Sequence, residues 1–390
     1  MSDSEKYYIE IPEAVVNANR IHATSDITAA FSNGRITLKE KSADNQNERS
    51  SIRGFLLTSL LAGILAFIVF HIQELKTVPL RGGNSITQVS IYLSLFFGTL
   101  AFFGTVIKVK KHKLSELKWR HIITLTLAAA LILFAVLAMF FKIFSTAFIG
   151  LRLDMYTTSI LVGLVVGIST YSLSAAANSI NFSTITYTLI ALLFGGILFS
   201  MITNGRPDWW QHNFSYLGTE NVKNAMYFNF TLIFSGLIML TLVDYLFSGL
   251  HATFNQNRRM FYLRILFSLL AITLTGVGLF PNNPGWTHTV HDHIAQLLVL
   301  WVLIMIVGIK WLLPDASHEF TVTSYTVGVL LILSDILFQH LHYLSLTGFE
   351  VTACGLVFFW LILLLLHLRN LALPEAQFQT KIIKANSSSI

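Results

Sequence analysis

Ten runs of roughly twenty apolar residues, each able to cross the hydrocarbon core of a bilayer as a helix, constrain this chain more than any motif in it. They lie near Gly54–Glu74, Ser85–Lys108, Ile122–Phe144, Met155–Ala177, Thr184–Thr203, Asn224–Ser248, Tyr262–Phe280, His288–Leu313, Thr321–His342 and Phe349–Asn370. A soluble core does not need such runs, and soluble domains carry about a quarter charged residues. Here only 12% are charged and the mean hydropathy is +0.64. The fold class that follows is all-α: a polytopic integral membrane helical bundle of about ten transmembrane helices. One cysteine, Cys354, sits inside an apolar run, so an intrachain disulfide framework is excluded.

Ten spans place both ends of the chain on one side, and charge placement chooses that side. Lys76, Arg81, Lys142, Arg152, Arg206 and Lys223 fall in one set of connections, and the other 20 of the 26 Lys/Arg fall in the opposite set. The positive-inside bias then predicts an N-in, C-in protein of the plasma membrane. The stretch Lys108–Arg120 (KVKKHKLSELKWR) fits a basic juxtamembrane loop facing anionic lipid, not a nucleic-acid patch. Residues 1–53 carry seven Lys/Arg and eight Asp/Glu and lack a cleavable signal pattern. They are expected to be a polar cytoplasmic tail, with Ser25–Glu40 forming a short helical hairpin broken at Gly34. The expected division is this tail, four leading helices over 54–183, a six-helix module over 184–370, and a cytoplasmic tail over 371–390.

The trailing half carries Trp209-Trp210-x-x-Asn213-Phe214-Ser215-x-Leu217-Gly218, followed by Phe228-Asn229-x-Thr231-Leu232-Ile233-x-Ser235-Gly236. Val277-Gly278-Leu279-Phe280-Pro281, His291-Asp292-x-x-Ala295 and Gly348-Phe349-Glu350 come after it. In order and spacing these motifs resemble the bacterial membrane family called domain of unknown function 998. The resemblance implies a polytopic membrane protein and no particular activity. In that family's pattern Asn is common at the position of Asp292, and His288 and His293 are not motif positions.

Periodicity and topology, apart from the resemblance, send many polar groups to one side. The segment Pro207–Thr219 connects two spans there and contains Asp208, His212 and Ser215, with Asn229 just inside the next span. His288, His291 and Asp292 are spaced i, i+3, i+4 and share a helix face. Asp335, Gln339 and His342 form a second stripe approaching the same side, and His71, His293, His340 and Glu350 end there too. Ionisable groups at membrane depth ordinarily line a protein interior or a wet cavity.

Three readings remain open on the sequence. The nine residues Asp208, His212, Ser215, Asn229, His288, His291, Asp292, Asp335 and His342 can line an outward-opening pocket for a lipid-like or small extracytoplasmic ligand. Alternatively His288, His291, Asp292 and His342 can hold zinc in an intramembrane lipid hydrolase, similar in site composition, though not in spacing or span number, to alkaline ceramidases and adiponectin receptors. In the third reading, a non-catalytic scaffold or sensor, the histidines are hydrated helix ends, Asp208 and Asn213 are helix caps, and the two tryptophans are interfacial anchors. Near the opposite side, Asp244 is expected to pair with Arg258 or Arg259. The sequence contains no Gly-x-Ser-x-Gly elbow, His-Glu-x-x-His pair or phosphate-binding glycine loop.

Overall fold

The computed structural model describes residues 7–9, 27–32, 35–112, 118–253, 258–314, 316–372 and 382–384. Among these, ten helices are long and apolar enough to cross a membrane. The first four are α1 (Lys41–Ile72), α2 (Ile86–His112), α3 (Trp119–Ala147) and α4 (Met155–Asn178). Next come α5 (Phe182–Thr203), interrupted by one π-turn at Ala191–Gly195, α6 (Ala225–Thr253) and α7 (Arg258–Leu279). The last three are α8 (Trp286–Val307), α9 (His318–Gln339) and α10 (Leu346–Ala372). The expected turn at Gly34, the centre of the basic loop (113–117) and most of the tail after Ala372 lie outside the described residues.

The terminal unit, residues 1–50 with 373–390, corrects one expectation. Ile27–Ser32 and Arg35–Glu40 are antiparallel strands, paired from Ile27 with Glu40 to Ser32 with Arg35, and not a helical hairpin. Two six-residue segments are too short to repay helix nucleation. They also contain the β-branched residues Ile27, Thr28, Ile36 and Thr37 around Asn33-Gly34, the dipeptide that most favours a two-residue hairpin. Tyr7–Ile9 pairs with Ile382–Lys384 in the same unit.

The second unit, Ser51–Ala372, is the helical bundle. Each helix exposes a broad apolar surface, as Leu57, Phe96, Ile160, Leu198 and Ile332 illustrate, and that surface suits lipid. Helix α6 is the exception that organises the rest: across its most apolar eighteen residues 61% are buried, against 17% for the matching stretch of α1. Its residues Ile238, Leu242 and Val243 share one core cluster with Phe102 and Ile122 of the leading helices and Val302 and Trp360 of the trailing ones. Burial in lipid supplies little drive for helix association, so close backbone approach must supply it. A Cβ on Gly278 would meet the Asn229 carbonyl oxygen at 2.6 Å, and one on Gly236 would meet that of Ala271 at the same distance. Only glycine lets α6 and α7 come this close.

The alternating path gathers the connections 73–85, 148–154, 204–224, 280–285 and 340–345 at one end of the bundle, called the loop end below. Two of them clamp the leading helices: Thr77–Pro79 pairs antiparallel with Arg152–Asp154. The Asp154 carboxylate then caps α4 by accepting from the Tyr156 and Thr157 N–H groups, each at 3.0 Å. Those hydrogen bonds hold the carboxyl below its ordinary range. In the trailing half, Lys223 N–H donates to the Asn204 carbonyl and Glu220 N–H to Asn283 Oδ1, folding the long connection back over α5 and α7.

Candidate functional site

The connection after α5 is not a loose loop. It forms two short 3-10 turns, Trp209–Gln211 and Phe214–Gly218. The second rests on α6: Leu217 is fully buried and clusters with Phe228 and Leu232, while Trp209 and Phe214 pack against this cluster. Trp209 is thus a packing residue, and its neighbour Trp210 stays 57% exposed in the manner of an interfacial anchor.

Three helices hold this turn by specific polar contacts. From α6, Asn229 Nδ2 donates to the Gly218 carbonyl at 2.9 Å. A Cβ at Gly218 would sit 2.3 Å from Asn229 Oδ1, so the pair works only with glycine there. From α10, the half-buried Glu350 carboxylate accepts the Phe214 N–H. From α8, His291 reaches Ser215, with Nε2 3.1 Å from the serine Oγ. The side chain of His291 is inside the protein, and the residue is only 3% exposed.

The other nitrogen of His291 defines what this contact can do. Nδ1 lies 2.7 Å from the carbonyl oxygen of Phe280, at the end of α7. A carbonyl can only accept, so Nδ1 carries the proton and donates it. In the neutral ring Nε2 then presents a lone pair, and the Ser215 hydroxyl donates to it. A serine, an oriented imidazole and a fixed acceptor behind the imidazole therefore stand in line. Beside them, the Asn213 side-chain oxygen is buried and has no hydrogen-bond partner among the described residues. Neither Asp208 nor Asn213 makes a side-chain cap, so the capping role expected for them does not hold.

The remaining expected site residues are placed elsewhere. His288 and Asp292 do not share the inward face of His291. They pair with each other one turn apart, at 3.4 Å, with side chains 55% and 45% exposed, and His288 Nδ1 also meets Asn282 Oδ1. His293 turns back to the Thr289 carbonyl at 2.6 Å. His212 is exposed and stacks on Tyr216, with ring centroids 4.2 Å apart. Asp335 accepts from Gln339 of its own helix at 2.7 Å. His342 leaves the expected stripe altogether: α9 ends at Gln339, and His342 follows in a left-handed turn with φ of 49°. His71 stacks on Phe67 in the last turn of α1.

This arrangement corrects the zinc reading. Among the described residues, no three His, Cys, Asp or Glu side chains converge as a metal would require. His291 already commits both nitrogens to hydrogen bonds, while His288 and Asp292 pair on the exposed face. The residue that sequence reasoning undervalued is Glu350. Its signal was the Gly348-Phe349-Glu350 motif, but the partner lies 136 positions away in the chain.

At the opposite end, Asp244 of α6 forms a different kind of cluster. Its Oδ1 pairs with Arg264 of α7 at 3.1 Å, and its Oδ2 pairs with Arg120 and with His121 Nε2 of α3, the latter at 3.1 Å. His121 is 4% exposed, and its Nδ1 accepts the Lys118 N–H at 3.3 Å. The partner shown on α7 is Arg264, where the sequence reading named Arg258 or Arg259, and the contact also reaches across to α3.

Comparison with known proteins places these features. A family model described as Protein of unknown function (DUF998) matches residues 186–367, a region holding Ser215, Asn229, His291 and Glu350. No curated protein and no solved structure matches the chain. The trailing six helices of this polytopic membrane protein are thus similar to that family, and the interlocked turn lies within the matched region.

Proposed function

We propose that the module binds a lipid-like or small amphipathic ligand at the loop end, and that this end faces the extracytoplasmic side of a bacterial plasma membrane. One observation carries the reading: the turn at the loop end brings together buried His291, half-buried Glu350 and, among the described residues, an unpartnered buried acceptor on Asn213. Polar groups at such depth are costly unless they serve a ligand or a wet cavity. Exposed Trp210, Trp286 and Tyr343 support a site at headgroup level, where an amphiphile presents its polar part.

Native mass spectrometry of the full chain from mild detergent tests the binding. A retained lipid-sized adduct is expected, and it should be lost in His291→Ala and Glu350→Ala. Wild-type protein that carries no adduct, and that no added lipid stabilises against heat, would overturn the reading. Sidedness is tested separately. In a Cys354→Ser background, a cysteine at exposed Gln211 should react with a membrane-impermeant maleimide in intact cells. Reaction only after the membrane is opened would place the site on the cytoplasmic side.

A further inference from the structure

The contact between Ser215 and His291 has the form of an activated nucleophile. A serine hydroxyl is a weak nucleophile until a base takes its proton, and a base is useful only when its lone pair is aimed at that proton. Here Ser215 Oγ lies 3.1 Å from His291 Nε2, and the bond from Nδ1 to the Phe280 carbonyl fixes which nitrogen is free to accept. Histidine on a membrane helix needs no such orientation for packing alone. Among the described residues, Ser215 is the serine whose hydroxyl meets a histidine nitrogen.

We infer that Ser215 is a nucleophile and His291 its general base, acting on a carboxylic ester of an amphiphile. This inference rests on the ligand-binding reading above and names its substrate class. Ser215 Oγ bonds to the ester carbonyl carbon while its proton passes to His291 Nε2. The carbon–oxygen bond to the alcohol breaks, and the leaving oxygen takes the proton from His291. Water, available at the membrane boundary, then attacks the acyl-serine and gives its proton to His291. The Ser215–acyl bond breaks, Ser215 Oγ recovers the proton, and a carboxylic acid departs. The Phe280 carbonyl acts as a positioning group that keeps Nδ1 protonated. The ester carbonyls of lipids lie just below the headgroups, the level marked by exposed Trp210 and Trp286.

The test uses the full chain in nanodiscs and a fluorophosphonate probe, with the adduct mapped by peptide mass spectrometry. A covalent adduct on Ser215 is expected, absent in Ser215→Ala. His291→Asn keeps a donor for the Phe280 carbonyl but removes the base, and should slow labelling at least about a hundredfold. Folded wild-type protein with no adduct on Ser215 overturns the inference, and so does an unchanged rate in His291→Asn. The wild-type adduct decides the matter even where a variant fails to fold. If labelling fails while lipid is still retained, the nucleophile falls and the binding reading stands; if neither occurs, both fall.

Discussion

The two ends of helix α6 are both polar, and they solve the cost of polarity in different ways. At one end Asp244 is held by two cations, Arg120 and Arg264, and by the buried neutral imidazole of His121. Charge there is matched by opposite charge, and the product is a tie between the leading and trailing helices. At the other end the contacts around Phe214–Gly218 are one-sided. Glu350 accepts a backbone N–H, Asn213 keeps an unused acceptor, and Ser215 points its proton at an imidazole. A cluster that saturates itself holds a fold together, whereas one that keeps a directed lone pair and an orphaned oxygen has chemistry left over. The Asp244 end therefore ties the bundle together, and the Ser215 end is the one to which the proposed chemistry is assigned.

Removing the hub of the saturated cluster should give the largest loss of stability. Asp244→Ala strands the buried His121 and two arginines. Breaking a buried pair costs about 3–5 kcal/mol, and the partial exposure of both arginines brings the expectation to about 3 kcal/mol. A large fall in the melting temperature of the detergent-solubilised protein would register it. Whatever fraction remains folded should still label at Ser215. Unimpaired stability, or labelling lost in folded protein, would break the contrast between the ends.

Next in size is Gly278→Ala. The added methyl would meet the Asn229 carbonyl oxygen at 2.6 Å, and an overpacked helix contact costs about 2 kcal/mol. Because Asn229 also holds Gly218, this substitution should loosen the site as well as the fold. Melting temperature and probe labelling should therefore fall together. That result would show that the glycine contact between α6 and α7 supports the acting end.

His291→Ala should separate the two properties in the opposite sense. It removes two hydrogen bonds and leaves the Phe280 carbonyl without its donor, a cost of about 1–2 kcal/mol. The melting temperature should drop less than for Asp244→Ala, while labelling and lipid retention disappear. A drop as large as that of Asp244→Ala, with retention intact, would make His291 a structural pin and dissolve the contrast.

How much of this was legible beforehand follows from the range of each interaction. The spans could be read because bilayer thickness writes itself into runs of residues, whatever the packing. The polar connection after α5 could be read because Asp208, His212 and Ser215 interrupt that apolar pattern. The spacing of His288, His291 and Asp292 shows that they share an arc, but it carries no phase, so it cannot say which of them faces inward. Only the packing of α8 against α7 turns His291 in and leaves His288 and Asp292 outside. The bond from Phe214 to Glu350 depends on how α10 returns to the loop end, which no local pattern records. The strand pair at Ile27–Glu40 was misjudged for a simpler reason: Gly34 resembled a helix stop, although Asn33-Gly34 between β-branched residues is a hairpin signal.

The smallest effect belongs to Asp154, which tests whether every charge at the loop end is chemical. This carboxylate caps α4 in full contact with water, and its hydrogen bonds to Tyr156 and Thr157 lower its pKa. A depressed folded pKa means that the unfolded chain binds the proton more readily. The cap's contribution is therefore present above the ordinary carboxylate range and is lost as pH falls through the lowered value. Melting curves of wild type and Asp154→Ala should differ slightly at neutral pH and converge in acid, while Ser215 labelling at neutral pH is the same in both. Convergence at neutral pH instead would mean that the cap adds no stability. Unequal labelling would mean that the acting end extends into the leading helices through the clamp between Thr77–Pro79 and Arg152–Asp154.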